Sequence, residues 1–208
     1  MTTPQATPQA TPADQISIAI VYHSGFGHTK AVAESIAAGA QSVEGVSASL
    51  VPVSDLPAQN AEGAPAGRWG ELDAADAIVF GSPTYMGTVS APFKAFMDAS
   101  SAAWFGQKWR DKIAAGFTNS GSPSGDKVAT LQNLAVFAAQ HSMIWASCGV
   151  FPEPAKKTNR LGGWLGLMTQ ADNAPPEQTP PPEDHETARL FGARVAQAAA
   201  RWARGKPA

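Results

Sequence analysis

With 208 residues, 44% of them apolar, the chain carries enough hydrophobic material for one sizeable core, and its length demands no second domain. Fifteen basic against 17 acidic side chains leave a net charge of -2, which excludes the strong field of a nucleic-acid or anionic-membrane binder and favours small-molecule chemistry. No run approaches the roughly 20 apolar residues that span a bilayer, and the single Cys148 cannot form an internal disulfide, as suits a reducing compartment. A soluble, cytoplasmic protein is expected.

Residues 1–14 repeat Thr-Pro-Gln-Ala with neither a basic start nor an apolar stretch, and read as a disordered tail. One domain is expected over 15–204, with 205–208 as a C-terminal tail. Residues 16–22, Ile-Ser-Ile-Ala-Ile-Val-Tyr, are apolar at nearly every position, as a strand covered on both faces would be. Gly25 and Gly27 punctuate the pattern, and an Ala-rich helix is predicted over 29–40, with Val32, Ile36 and Ala40 on one face. A second strand is predicted at 46–53, followed by connection over 55–70. A third, at 74–81, ends where Ser82-Pro83-Thr84-Tyr85-Met86-Gly87 breaks the pattern.

A helix over 91–99 turns Phe93, Phe96 and Met97 to one side. The fourth strand, 112–117, meets the breaker run 119–125. A helix over 126–140 aligns Val128, Leu131, Leu134 and Ala138. Residues 143–150 form the fifth strand, where Cys148 reads as a small buried hydrophobe. The last helix covers 183–204, with Leu190, Phe191, Val195, Ala198 and Trp202 inward. The Gly- and Pro-rich stretch 152–182 is over-long for a connection and reads as a lid, an oligomer contact or a partly disordered segment.

Strands alternating with helices predict a doubly wound α/β fold with a five-stranded parallel sheet. Ligands bind such sheets beyond the carboxyl ends of the strands, which selects the loops 24–29, 82–88 and 118–126. The first, Ser24-Gly25-Phe26-Gly27-His28-Thr29, offers hydroxyls and a helix N-terminus to an anion. It lacks the Gly-Lys-Ser/Thr ending of a Walker loop, and Lys30 occupies the last position of a Gly-x-Gly-x-x-Gly pattern, so a mononucleotide is favoured over ATP or a dinucleotide. No spacing of His, Cys or carboxylates suggests a metal site.

Together, residues 22–29, 79–87 and 117–121 resemble the WrbA-type, flavodoxin-fold NAD(P)H:quinone oxidoreductases over about residues 16–150. The resemblance implies a flavodoxin-like sheet of order 2-1-3-4-5 and a bound FMN. Ser24, Phe26, Gly27, His28 and Thr29 would grip its phosphate. Ser82, Pro83, Thr84, Tyr85, Met86 and Gly87 would edge the ring, and Thr118, Asn119, Ser120 and Gly121 would close the other side. Trp104 would shape a pocket for a flat quinone, and His141 falls where that family has a histidine beside the flavin. The residues around His141 equally suit a histidine capping a helix C-terminus. Gly25 and the Tyr85-Met86 pair depart from the family's usual residues.

The implied activity is two-electron transfer from NADH or NADPH, by hydride transfer to FMN and then to a quinone-like acceptor in ping-pong fashion. A homodimer or homotetramer is implied, with Trp104, Trp109 and Trp164 in candidate contact segments. The rivals are a flavodoxin-type electron carrier, whose usual strongly acidic face this near-neutral chain lacks, and an FMN-binding sensor without turnover.

Overall fold

The computed structural model describes residues 15–58 and 67–205. The tail 1–14, residues 59–66 of the expected connection and the final three residues lie outside the described residues.

Strands β1 (Ile16–Tyr22), β2 (Val46–Pro52), β3 (Ala77–Tyr85) and β5 (Ile113–Ser120) form the centre of a parallel sheet, and the two-residue β6 (Ile144–Trp145) extends it. The order is β2-β1-β3-β5-β6, a flavodoxin-like winding. Two strands lie off that path: β4 (Thr88–Val89), antiparallel to the end of β3, and β7 (Leu167–Gln170), parallel to the upper half of β5. The expected fifth strand at 143–150 is therefore reduced to two residues, and a separate strand later in the chain continues the pairing with β5. Ile144 and Trp145 pair with Ile113 and Ala114, the chain then leaves the sheet, and Leu167 returns opposite Phe117. Departure is fixed by Gly149 in the left-handed region and by the Cys148 N–H, which donates to Trp164 O instead of to β5.

The central strands β1, β3 and β5 bury both faces, as their continuous apolar runs require. Ile18, Ile20, Val79 and Phe117 meet α1 (His28–Gln41) and α6 (Pro182–Ala203) on one side. Val21, Phe80, Trp69, Phe96, Trp109 and Phe137 fill the other, beneath α2 (Trp69–Ala74), α3 (Ala91–Ala99) and α5 (Lys127–Gln140). The short α4 (Ser101–Phe105) follows α3. Helices α1 and α6 approach through Gly39 and Gly192, where a Cβ would stand 1.9 Å from Arg189 O and 2.1 Å from Ile36 O.

The structure corrects several sequence expectations. α2 lies partly inside the predicted connection 55–70, held by the buried Trp69, whose Nε1–H donates to Pro57 O. β3 runs on to Tyr85, since Ser82 and Pro83 still pair with Thr118 and Asn119. On α6 the inward face is Ala188, Phe191, Val195 and Ala199, while Leu190 and Trp202 are exposed. Val128 is likewise exposed on α5. No helix among the described residues is long and apolar enough to cross a membrane.

Candidate functional site

The right-handed winding brings the β1–α1 loop, the end of β3 and the end of β5 to one edge of the sheet. There they enclose a cavity of about 200 Å³, lined from the first loop by Ser24, Gly25, Phe26, His28 and Thr29. Pro83, Thr84 and Tyr85 line it from β3, and Asn119, Ser120 and Gly121 from β5. Ala171 and Asn173, which follow β7, complete the wall.

Gly27 is the N-cap of α1 at φ 92°, a conformation that L side chains rarely adopt. That turn aims the start of the helix at the cavity. The Lys30 N–H donates to Ser24 Oγ at 3.1 Å and the Ala31 N–H to Gly27 O at 3.0 Å. The backbone N–H groups of residues 25–29 have no acceptor among the described residues. Backbone amides without protein acceptors at a helix N-terminus, with the Ser24 hydroxyl and the buried Thr29 beside them, are a donor set for an anion such as a phosphate. The residues present thus fit a flavin mononucleotide phosphate, with room beside it for a polar chain and exposed aromatic surface at the mouth.

His28 lines this cavity, but its Nε2–H donates to Ala174 O at 2.7 Å, which ties α1 to the segment after β7. At the mouth stand Phe26, 74% exposed, and Tyr85, 39% exposed, their rings edge to face at 6.5 Å. Met86 is fully exposed at φ 48° in the β3–β4 turn with Gly87, and neither lines the cavity wall. Gly25 is matched to Tyr85, because a Cβ at 25 would lie 2.8 Å from Tyr85 Oη. The two departures from the family pattern accommodate one another.

Of the other predicted residues, Ser82 and Thr118 lie behind the wall. Ser82 is fully buried; its Oγ donates to Pro83 O and accepts the Ser90 N–H, so it shapes the turn. Thr118 is buried beneath the cavity, its hydroxyl bonded to Thr84 Oγ1, which also meets Thr130 Oγ1. Asn119 Oδ1 accepts the Thr169 hydroxyl at 2.9 Å and so joins β5 to β7.

His141 and Trp104 are elsewhere. α5 leaves the site at Lys127 and runs back along the sheet for 14 residues, about 20 Å, before ending at its C-cap His141. His141 is buried, stacks on Trp109 at 4.2 Å, and donates from Nε2 to Ser100 Oγ at 2.9 Å. The Ser100 hydroxyl donates to Met97 O, which fixes this neutral tautomer, and burial pushes the imidazole down to about 4. His141 is the C-cap residue of α5 through its backbone N–H, while its neutral ring packs between elements instead of pairing with the helix dipole. With Trp104, 44% exposed, it lines a separate groove between α3–α4 and α5.

Sequence reasoning missed Ala171 and Asn173. They are carried to the site by the four residues of β7, too short a run for periodicity to reveal. An interior network holds that strand. Arg160 donates to both oxygens of buried Asp184, at 2.7 and 3.1 Å, and Asp184 Oδ2 also accepts the Gln170 N–H. Larger hollows lie elsewhere, two of them well above the site cavity in volume. One, of about 560 Å³, lies at the opposite sheet edge between Asp73, Asp111 and Trp202 and mixes both signs of charge. The other, of about 700 Å³, shares Ser24 with the first loop and is walled by Pro52, Pro57, Pro92 and Phe96. Neither is lined by any of residues 25–29. Among the described residues no cluster of His, Cys and carboxylates suits a metal.

Comparison with known proteins agrees with this architecture. Residues 20–156 match the family model described as NADPH-dependent FMN reductase. The chain is 42% identical to flavodoxin FldP of Pseudomonas aeruginosa, over 86% of this chain and 94% of that protein. It is 32% identical to an NAD(P)H dehydrogenase (quinone) of Archaeoglobus fulgidus, over 88% and 96%. Among solved structures, the WrbA-like flavodoxin of Agrobacterium tumefaciens is 40% identical with a TM-score of 0.66, covering 90% of this chain and 99% of that one. With its flavodoxin-like sheet and its family-model match over most of that sheet, the chain belongs to the NADPH-dependent FMN reductase family.

Proposed function

We propose that the protein is an FMN-dependent NAD(P)H oxidoreductase that delivers two electrons to a quinone-like acceptor. The observation that carries this reading is the cavity of three loops, beside which the backbone N–H groups of residues 25–29 have no acceptor among the described residues. Ser24 and Thr29 would hold the FMN phosphate, Pro83, Thr84 and Tyr85 one flank of the flavin, and Asn119, Ser120 and Gly121 the other. Bound FMN supplies the redox chemistry, taking two electrons from NADH or NADPH and giving them to the acceptor. The chain's own contribution is to bind, orient and desolvate. Buried hydroxyls at Thr84, Thr118 and Thr130 stiffen the floor, and Phe26 and Tyr85 offer exposed aromatic surface at the mouth.

His141 has no catalytic part within one copy of the chain. Trp104 and its groove are available to a second copy, which accords with a homodimer or homotetramer.

A second reading, a flavodoxin-type electron carrier, is favoured by the 42% identity to flavodoxin FldP. Oxidation of NADH and NADPH by the FMN-loaded protein, with and without benzoquinone, separates the two. Turnover that rises with quinone is expected; bound FMN without nicotinamide oxidation leaves the carrier.

A further inference from the structure

We infer that Lys127 is a positioning residue of this site, a buried ammonium that folds the loop 120–126 into a cavity wall and sets a positive charge behind it. The inference rests on reading the cavity as an FMN site. Lys127 is the first residue of α5 and only 1% exposed, a rare place for a lysine. Its Nζ donates to Ser120 Oγ at 2.7 Å, Ser122 O at 2.7 Å and Pro123 O at 3.1 Å. Three N–H donors meet three acceptors, so the ammonium is fully used.

Two of the acceptors belong to the loop that follows β5 and the third, Ser120, ends that strand and lines the cavity. The loop is wrapped tightly around the amine. Gly125 and Asp126 both take φ 53°, and a Cβ on Gly125 would stand 2.4 Å from Ser120 Oγ. None of the three acceptors is a carboxylate. The charged groups that face Lys127 are Asp184 on α6, with Arg160 and Asp172 from the segments flanking β7. Asp184 is already committed to Arg160, so the two nearest opposite charges largely answer each other.

A buried cation whose hydrogen-bond partners are all neutral is expensive. An anion bound across the cavity wall removes that imbalance. Burial lowers the amine to about 8, against the opposing pull of Asp184. Above that pH the neutral amine has two N–H groups for three acceptors and one bond to the loop is lost. An anionic ligand therefore favours the charged form, and its affinity falls as pH rises through about 8.

The test is FMN affinity of the full chain, followed by quenching of flavin fluorescence from pH 7 to 9.5, for wild type and Lys127→Met. Wild type should bind more weakly as pH rises. Lys127→Met should bind roughly tenfold or more weakly at pH 7, show no such pH step, and shift the potential of bound FMN to more negative values. A variant with wild-type affinity and pH profile overturns the inference. Should Lys127→Met fail to fold, the wild-type profile decides together with Ser120→Ala, which removes one acceptor and should weaken FMN binding. Wild type that binds FMN with a flat profile sinks the role of Lys127 alone, whereas wild type that binds no FMN sinks the reading of the cavity as well.

Discussion

Acid should destabilise this protein through His141. The imidazole is buried with its Nε2–H given to Ser100 Oγ, and its Nδ1 has no hydrogen-bond partner. Protonation would place a charge against the Trp109 and Phe137 rings without a counter-ion. The folded group therefore titrates near 4 in place of the ordinary 6.5. Below pH 6.5 the unfolded chain takes up the proton first, so the stability that neutral His141 contributes is complete above that pH. It is lost as pH falls toward 4. A displacement from 6.5 to about 4 corresponds to about 3 kcal/mol in full, and to about 2 kcal/mol by pH 5. The comparison variant is His141→Phe, which keeps the stack on Trp109 and cannot titrate. Urea unfolding of both proteins at pH 7.5 and pH 5 gives the difference, wild type losing about 2 kcal/mol more than the variant. Equal losses, or an NMR titration of His141 near 6.5, would refute the burial argument.

Two further substitutions probe the site and its supporting wall. Ser24→Ala combined with Thr29→Ala should weaken FMN binding roughly a hundredfold, as the loss of two hydrogen bonds to a charged phosphate implies. The double variant should leave riboflavin binding unchanged, lower fold stability by only about 1 kcal/mol through the lost Ser24 cap, and mark a misplaced phosphate if FMN affinity holds. Arg160→Ala strands the Asp184 carboxylate, only 2% exposed, with the Gln170 N–H as its remaining donor. A loss of about 3 kcal/mol in urea unfolding is expected, at the lower end for a broken buried pair because Arg160 is itself partly exposed; a loss under about 1 kcal/mol would show that β7 is held by other contacts.

Much of this layout was legible in the chain because its signals are local. The apolar run at 16–22, the glycines at 25 and 27, and the Val32-Ile36-Ala40 stripe each specify their own element, and winding rules then collect the three loops on one edge. The parts that escaped depend on contacts between distant segments. β7 is four residues whose pairing is decided by Asn119, Thr169 and the Arg160–Asp184 pair. The inward face of α6 follows from the Gly39–Gly192 approach, which displaces Leu190 and Trp202 to the surface. Lys127 is disclosed as buried only by the folded loop around it. His141 illustrates the converse. Its family position suggested the flavin, yet the length of α5 carries it to the far end of the sheet.

The most direct measurement is a titration of the purified, flavin-free protein with FMN and, in parallel, with riboflavin, read by flavin fluorescence. Saturation at one FMN per chain, with riboflavin bound far more weakly, is the result that a phosphate held by the amides of residues 25–29 requires. No saturable binding, or equal affinity for the two flavins, would contradict it.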